Sequence, residues 1–187
     1  MDYRDINKKI DDIVRVANRE ERRMLINLKK AFSCYNNKMY YECYYDKRLC
    51  LSNYNKFVED VSDLHKENFY FLFIRIPGIN TNCHLDNSKR EAEELFINKL
   101  KEEAPLYSLA RNNIYVVAEY LVLICGKAEV NEIYQRIKKI KKSNKNFGKY
   151  QMTYVKYEKQ SSKVAKNINS CIKRANEIFK NNKELNI

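Results

Sequence analysis

With 187 residues, 44% of them hydrophobic, the chain is long enough for one medium domain or a smaller one with an attached helical segment, and apolar enough to exclude disorder throughout. Lys plus Arg at 36 against Asp plus Glu at 24 leaves +12, which permits a polyanionic partner without requiring one, because the excess is spread along the chain. No apolar run approaches the roughly 18–20 residues that span a bilayer, and Met1-Asp2-Tyr3-Arg4-Asp5 lacks the core of a signal peptide, so the expected location is cytoplasmic and no membrane partner is expected.

From Asp2 to about Phe32, Ile6, Ile10, Ile13, Val14, Ala17, Met24, Leu25 and Leu28 recur at helical spacing among dense charges. The stripe is narrow and suits packing against one other helix, either the chain's own domain or a second copy of the chain. Tyr35 to Tyr45 is dense in tyrosine. Such a run either buries its rings and leaves its hydroxyls wet, which is the expectation preferred, or forms a stacking platform for bases. Asp46 to Lys66 reads as a turn and a helix with Phe57, Val58, Val61 and Leu64 on one face.

Phe69-Tyr70-Phe71-Leu72-Phe73-Ile74-Arg75-Ile76 is a continuous apolar run closed by Pro77-Gly78, the pattern of a central strand buried on both faces. Ligands of α/β sheets gather beyond the carboxyl ends of such strands, which singles out Arg75, Pro77, Gly78 and Asn80. A polar turn over 81–87 leads to a helix from Ser88 to about Glu103, with Ala92, Leu95, Phe96 and Leu100 inward and Pro105 as its stop. Leu106 to Ala110 and Ile114 to Cys125 read as strand material, closed by Gly126. A helix over Glu129 to Lys142 turns Val130, Ile133, Ile137 and Ile140 inward, with lysines massed at its end where the dipole favours them. A loop, a strand over Tyr150 to Tyr157 and a last helix from Lys163 to about Lys183 complete the chain. This alternation predicts an α/β sandwich, helices against one mostly antiparallel sheet of the ferredoxin or polymerase-palm type.

The six cysteines, Cys34, Cys43, Cys50, Cys83, Cys125 and Cys171, include no Cys-x-x-Cys pair. Ordinary buried, unpaired thiols are expected rather than a zinc site, although Cys83 beside His84 has the form of half a metal site. No cofactor and no metal are expected. His65 and His84 stand in no recognisable triad, and the chain has neither a phosphate-binding glycine loop nor a serine elbow. Glu119 is the sole acid in an apolar context, with no second acid or histidine fixed beside it by the sequence.

Asp46, Leu51, Asn53 and Phe57 stand in ungapped register with the opening Asp-x-Leu-Thr-Gly-Leu-x-Asn-Arg-x-x-Phe of the GGDEF, or diguanylate cyclase, family. Ile74-Arg75-Ile76-Pro77-Gly78-Ile79-Asn80 sits where that family's first strand ends in Ile-Asp-Ile-Asp-x-Phe-Lys. Ile172-Lys173-Arg174-Ala175-Asn176-Glu177-Ile178-Phe179-Lys180-Asn181-Asn182 is similar to its terminal Leu-Lys-Arg-Ala-Asp-x-x-Met-Tyr-x-x-Lys once one gap is allowed. The three pieces occur in order over about three quarters of the chain, so the chain resembles a GGDEF domain over 46–187 with a helical segment over 1–45, a possible dimerisation or signalling helix.

The resemblance implies a fold and argues against the family's reaction. Joining two GTP molecules needs acids that hold divalent cations against the triphosphate. Arg75 and Pro77 occupy the places of the strand's two aspartates. The signature hairpin is best matched by Val116-Val117-Ala118-Glu119-Tyr120, where β-branched valines replace both glycines and Ala118 replaces the metal-binding acid. The inhibitory Arg-x-x-Asp product site is not evident around Arg111.

Three functions are therefore in view. The leading expectation is a catalytically inactive GGDEF-like module, not an enzyme, that binds a protein partner in nucleotide signalling, with a homodimer through the amino-terminal helix as one form. The second is a nucleotide sensor in which Arg75 replaces the metal, with backbone donors at Gly78, Ile79 and Asn80 and with Lys173 or Lys183 nearby. Against it stands an Arg75 that lies extended or pairs with Glu119 across adjacent strands, which is preferred. The third is nucleic-acid binding through Lys138, Lys139, Lys141, Lys142, Lys145 and Lys149, with Tyr150, Tyr154 and Tyr157 on the strand that follows, set against a merely solvated lysine-rich helix end.

Overall fold

A computed structural model describes residues 3–16, 19–46, 48–64, 69–77, 79, 87–107 and 114–181. In chain order the elements are α1 (Tyr3–Val16), α2 (Arg19–Tyr44), β1 (Tyr45–Asp46), β2 (Leu51–Ser52), α3 (Tyr54–Asp63), β3 (Phe69–Arg75), α4 (Asn87–Tyr107), β4 (Tyr115–Val117), β5 (Tyr120–Gly126), α5 (Glu129–Ser143), a 3-10 turn (Lys145–Lys149), β6 (Gln151–Lys156) and α6 (Val164–Lys180). They form two compact units, Met1–Cys43 and Tyr44–Ile187.

The first unit is helical. The apolar spacing over 2–32 runs through α1 and α2. Arg22 Nε donates to the Val14 carbonyl at 3.1 Å, and Lys29 pairs with Asp11, so α2 is tied back to α1. Ile10, Val14 and Leu25 are half-buried while Ile13, Met24 and Leu28 are exposed. The tyrosine-rich run is the carboxyl half of α2, and the preferred expectation that it buries its rings does not hold: Tyr35, Tyr40 and Tyr41 are exposed, and α2 has no buried residue.

The second unit is a six-stranded mixed sheet in the order β1-β2-β4-β5-β3-β6. Among the described residues only β2 and β4 pair in parallel. The central position of β3 follows from its composition. It pairs antiparallel with β5 from Phe69↔Gly126 to Arg75↔Tyr120, and with β6 from Tyr70↔Lys156 to Arg75↔Gln151, so that both edges are satisfied and both faces are covered. Strand alternation sends Phe69, Phe71 and Phe73 to one face, against Phe57 and Val61 of α3 and Ile168, Cys171, Ala175 and Phe179 of α6. Leu72 and Ile74 face the other way, against Ala92, Phe96 and Leu100 of α4 and Val130, Ile133 and Ile137 of α5. The chain is thus an α/β protein with helices on both faces of its sheet, and β3-α4-β4-β5-α5-β6 supplies four neighbouring strands, β4-β5-β3-β6, with β6 at the edge.

Several local expectations need correction. The helix expected to stop at Pro105 runs through it to Tyr107, so Leu106 is helical rather than strand; 108–113 lie outside the described residues. A proline this close to a carboxyl terminus withdraws one hydrogen bond from an end that frays in any case. Leu95 is exposed and Ile97 buried in its stead. Cys34, Cys43 and Cys50 are exposed, leaving Cys125 and Cys171 as the buried thiols; burial pushes them up to about 12 and about 11, so they are inert at neutral pH. Cys83, His65 and His84 lie outside the described residues.

The fold also buries a carboxyl group. Glu93 of α4 is among the buried residues, and burial raises its pKa, an effect opposed by Arg48 and reinforced by Glu94. An acid whose pKa is higher folded than unfolded binds its proton more tightly in the native state, so its contribution to stability falls as pH rises through that window. Glu93→Gln is therefore expected to raise the melting temperature at pH 8 by more than at pH 4, read by thermal denaturation; an equal effect at both pH values would place the carboxylate in a compensated site.

Candidate functional site: the end of the central strand

The segment leading into the sheet is built by the polar residues of its own turns. The Asp46 carboxylate accepts from the backbone N–H groups of Arg48 and Leu49 at 3.1 and 2.8 Å, and Cys50 follows with φ of 50°. Asn53 caps α3, its side chain accepting from the N–H groups of Asn55 and Lys56 at 3.0 and 3.2 Å. Leu51 and Phe57 are in the core. Asp46, Leu51, Asn53 and Phe57, singled out from the sequence, each have a structural task here.

β4 and β5 meet in a two-residue turn, Ala118-Glu119, between the facing residues Val117 and Tyr120. Ala118 has φ of 52°, the left-handed region where a Cβ costs about 1–2 kcal/mol and where tight hairpins favour glycine. Ala118→Gly should relieve that strain, and after the larger entropy loss of glycine a net gain of about 0.5–1 kcal/mol is expected in urea denaturation. A loss of stability would mean that the methyl group makes contacts worth more than the strain.

The turn delivers Glu119 to the end of β3. Arg75 faces Tyr120 in the register, and one guanidinium nitrogen donates to Glu119 Oε2 at 3.2 Å, the second of the two alternatives, extended or paired, that were set against a nucleotide site. The side chains remain 37% and 47% exposed, so the pair is worth little to stability. Its importance is electrostatic: the hairpin's acid is already satisfied by a cation.

Beneath it Tyr120 is buried, its ring stacked on Phe179 at 5.5 Å and edge-on to Phe73 at 5.6 Å. Its hydroxyl lies 3.0 Å from Glu119 Oε1 and in contact with Asn176 Oδ1 of α6. Burial first, then the hydrogen bond and charge of Glu119, push this phenol up to about 12, so Tyr120 stays a neutral donor. The strand end is therefore held by Arg75, Glu119, Tyr120 and Asn176.

The other nominated residues are less engaged. Lys173 is exposed on α6, one turn before Asn176. Gly78, Asn80 and Lys183 lie outside the described residues, as does Arg111. Ile79 is buried and spends its N–H on the Ile76 carbonyl at 3.2 Å, so it does not offer the anion-binding donor expected of it. Val116 and Val117 are buried in β4.

The donor set does not fit the divalent ions that the resemblance would imply. Of the described side chains gathered at this strand end, Arg75, Glu119, Tyr120 and Asn176, only Glu119 is anionic, and a cation placed on it would have to displace Arg75 at like-charge cost. Among the described residues no group of three or more His, Cys, Asp or Glu is arranged to hold a metal.

The basic run of α5 and its following turn is exposed or half-buried, but the tyrosines expected to stack bases beside it are spent elsewhere. Tyr150 stacks on Phe147 at 5.6 Å, Tyr157 on Phe69 at 4.5 Å, and Tyr154 meets Tyr70 and Tyr134 edge-on. Two features here leave no mark in the sequence. Asn176 gives no sign in sequence of reaching Tyr120, because the contact spans 56 positions, and the turn that folds the lysines around a cavity depends on Asn144, which reads only as a loop residue. Compared with known proteins, the chain matches no family model, and no curated protein matches it in sequence.

Proposed function

We propose that the 46–187 domain is a GGDEF-like scaffold without cyclase activity, serving as a regulatory interaction module in nucleotide or cyclic-dinucleotide signalling. The observation that carries this reading is the Arg75–Glu119 pair: where cyclisation needs acids around divalent ions, a guanidinium neutralises the acid that remains. Further support comes from Cys50, whose left-handed backbone falls where the family's opening motif has glycine, and from the packed Leu51, Phe57, Ala175 and Phe179. The scaffold residues persist while the ligand-bearing ones do not.

The test is incubation of the full chain with GTP and Mg²⁺ or Mn²⁺, with products resolved by chromatography. No cyclic dinucleotide above the protein-free control is expected, and product formation overturns the reading. The interaction half of the proposal rests on α1 and α2, where Ile13, Met24, Leu28, Tyr35 and Met39 are exposed. A second copy of the chain is the partner to test first: sedimentation should give a dimer that Met24→Glu/Leu28→Glu dissociates, and a monomer at all concentrations removes the homodimer.

A further inference from the structure

The last three turns of α5, the 3-10 turn and the start of β6 border a half-open cavity of about 310 Å³. Tyr134, Lys138, Lys141 and Lys142 line it from one face of α5, at the helical offsets of four, seven and eight residues. Asn144 ends the helix in extended backbone and accepts the Asn146 N–H at 3.0 Å, which starts the 3-10 turn and brings Lys145 and Gly148 round to the other side. Tyr134 and Met152 are buried and give the cavity an apolar wall.

Four lysines and no acid line this space. Lys138, Lys142 and Lys145 enter no ion pair among the described residues, although the same unit pairs its arginines with acids at Glu103, Glu119 and Glu158. Attraction to the helix dipole accounts for Lys141 and Lys142, in the last turn, but it fades within that turn. It explains neither Lys138, one turn earlier, nor Lys145, beyond the helix, nor their convergence on one concavity. The ammonium groups of Lys138, Lys142 and Lys145, gathered without an ion pair among the described residues, repel one another, and an anion carrying several charges relieves that repulsion. The volume lies at the lower end for small-molecule sites, and the apolar wall suits the uncharged part of such a ligand.

We propose that this cavity binds a phosphorylated small molecule with two or more negative charges, of the nucleoside di- or triphosphate class. Enclosure on two sides favours such a ligand over a polynucleotide, which would need an open track, and the tyrosines that would stack its bases are packed inward. The site does not depend on the inactivity of the strand end, since Arg75 takes no part in it.

Isothermal titration of the full chain with ATP, GTP and inorganic pyrophosphate, at 50 and 300 mM salt, tests the proposal. Binding that weakens with salt is expected, at least tenfold weaker in Lys138→Gln/Lys142→Gln and in Lys142→Glu/Lys145→Glu, and unchanged in Arg75→Ala. Circular dichroism melts establish that the variants fold. Pyrophosphate binding as well as the nucleotides would assign recognition to the phosphates, and weaker pyrophosphate binding would add the Tyr134 and Met152 wall; both support the site. No heat at millimolar ligand overturns it, as does binding that survives both double variants. A single-stranded oligonucleotide that binds a hundredfold more tightly than any nucleotide through the same lysines also overturns it, in favour of a polynucleotide surface.

Discussion

Phe71→Ala is expected to remove about 3–5 kcal/mol from the stability of the Tyr44–Ile187 unit, the range of buried Phe truncations. Phe71 has no exposed surface. Its ring meets Phe57 at 4.9 Å, Phe69 at 5.6 Å, Tyr157 at 5.5 Å and Phe73 at 6.2 Å, so truncation empties the middle of the aromatic layer between the sheet and α3 and α6. The void has little means of closing, because β3 is fixed by pairing on both sides and α3 and α6 are braced on neighbouring strands. Since whole domains are stable by about 5–15 kcal/mol, the loss is a large share of the total. Urea denaturation monitored by tyrosine fluorescence measures it. A loss below about 1 kcal/mol would mean that this layer repacks freely, at odds with an interior held at crystalline density.

Asn167→Leu should cost about 2–4 kcal/mol for a different reason, the stranding of buried polar partners. Asn167 is 1% exposed in the first turn of α6. Its amide donates to the Ser161 carbonyl at 2.8 Å and the Tyr157 hydroxyl at 3.2 Å, and its carbonyl accepts the Ser161 N–H at 2.9 Å. One side chain thus organises the connection from β6 to α6, a helix whose N-cap Lys163 offers no capping side chain. Leucine nearly matches the volume and leaves these groups unpaired, so the loss isolates polar satisfaction from packing. Asn167→Asp retains the acceptor and should recover part of it; equal stability of leucine variant and wild type would show that water replaces all three bonds.

The parts of this fold that were legible in the sequence are those fixed by local pattern. The unbroken run from Phe69 to Ile76 could be satisfied only between two strands and two helix layers, and α5 shows its inward face at Val130, Ile133 and Ile137 at helical spacing. What misled was competition between signals of similar strength. Tyrosine favours strands and burial, yet the run from Tyr35 lacks any breaker and continues α2 into solvent. Pro105 is a stop signal overridden in the last turn of α4. The two-residue strands β1 and β2 carry too little pattern to be seen, and only the Asp46 turn betrays them.

At the strand end, the sequence leaves Arg75 either extended or paired with Glu119, and the pair forms because the hairpin turn sets Glu119 beside Tyr120, the residue that faces Arg75. The Tyr120–Asn176 contact was not legible, because it depends on how α6 crosses the sheet. The lysine cavity was visible only as composition: a run of cations does not say whether they radiate into solvent or converge, and Asn144 decides that by joining two helices of different pitch.

The claim on which the proposed function turns is that a cation occupies the place where this scaffold would have to seat divalent ions. The most direct measurement is a crystal grown with GTP and Mn²⁺ and examined by anomalous diffraction. We predict no manganese peak at the end of β3 and a guanidinium of Arg75 still within hydrogen-bonding distance of Glu119. Two manganese peaks at that position, with Arg75 turned away and the triphosphate held between them, would contradict it.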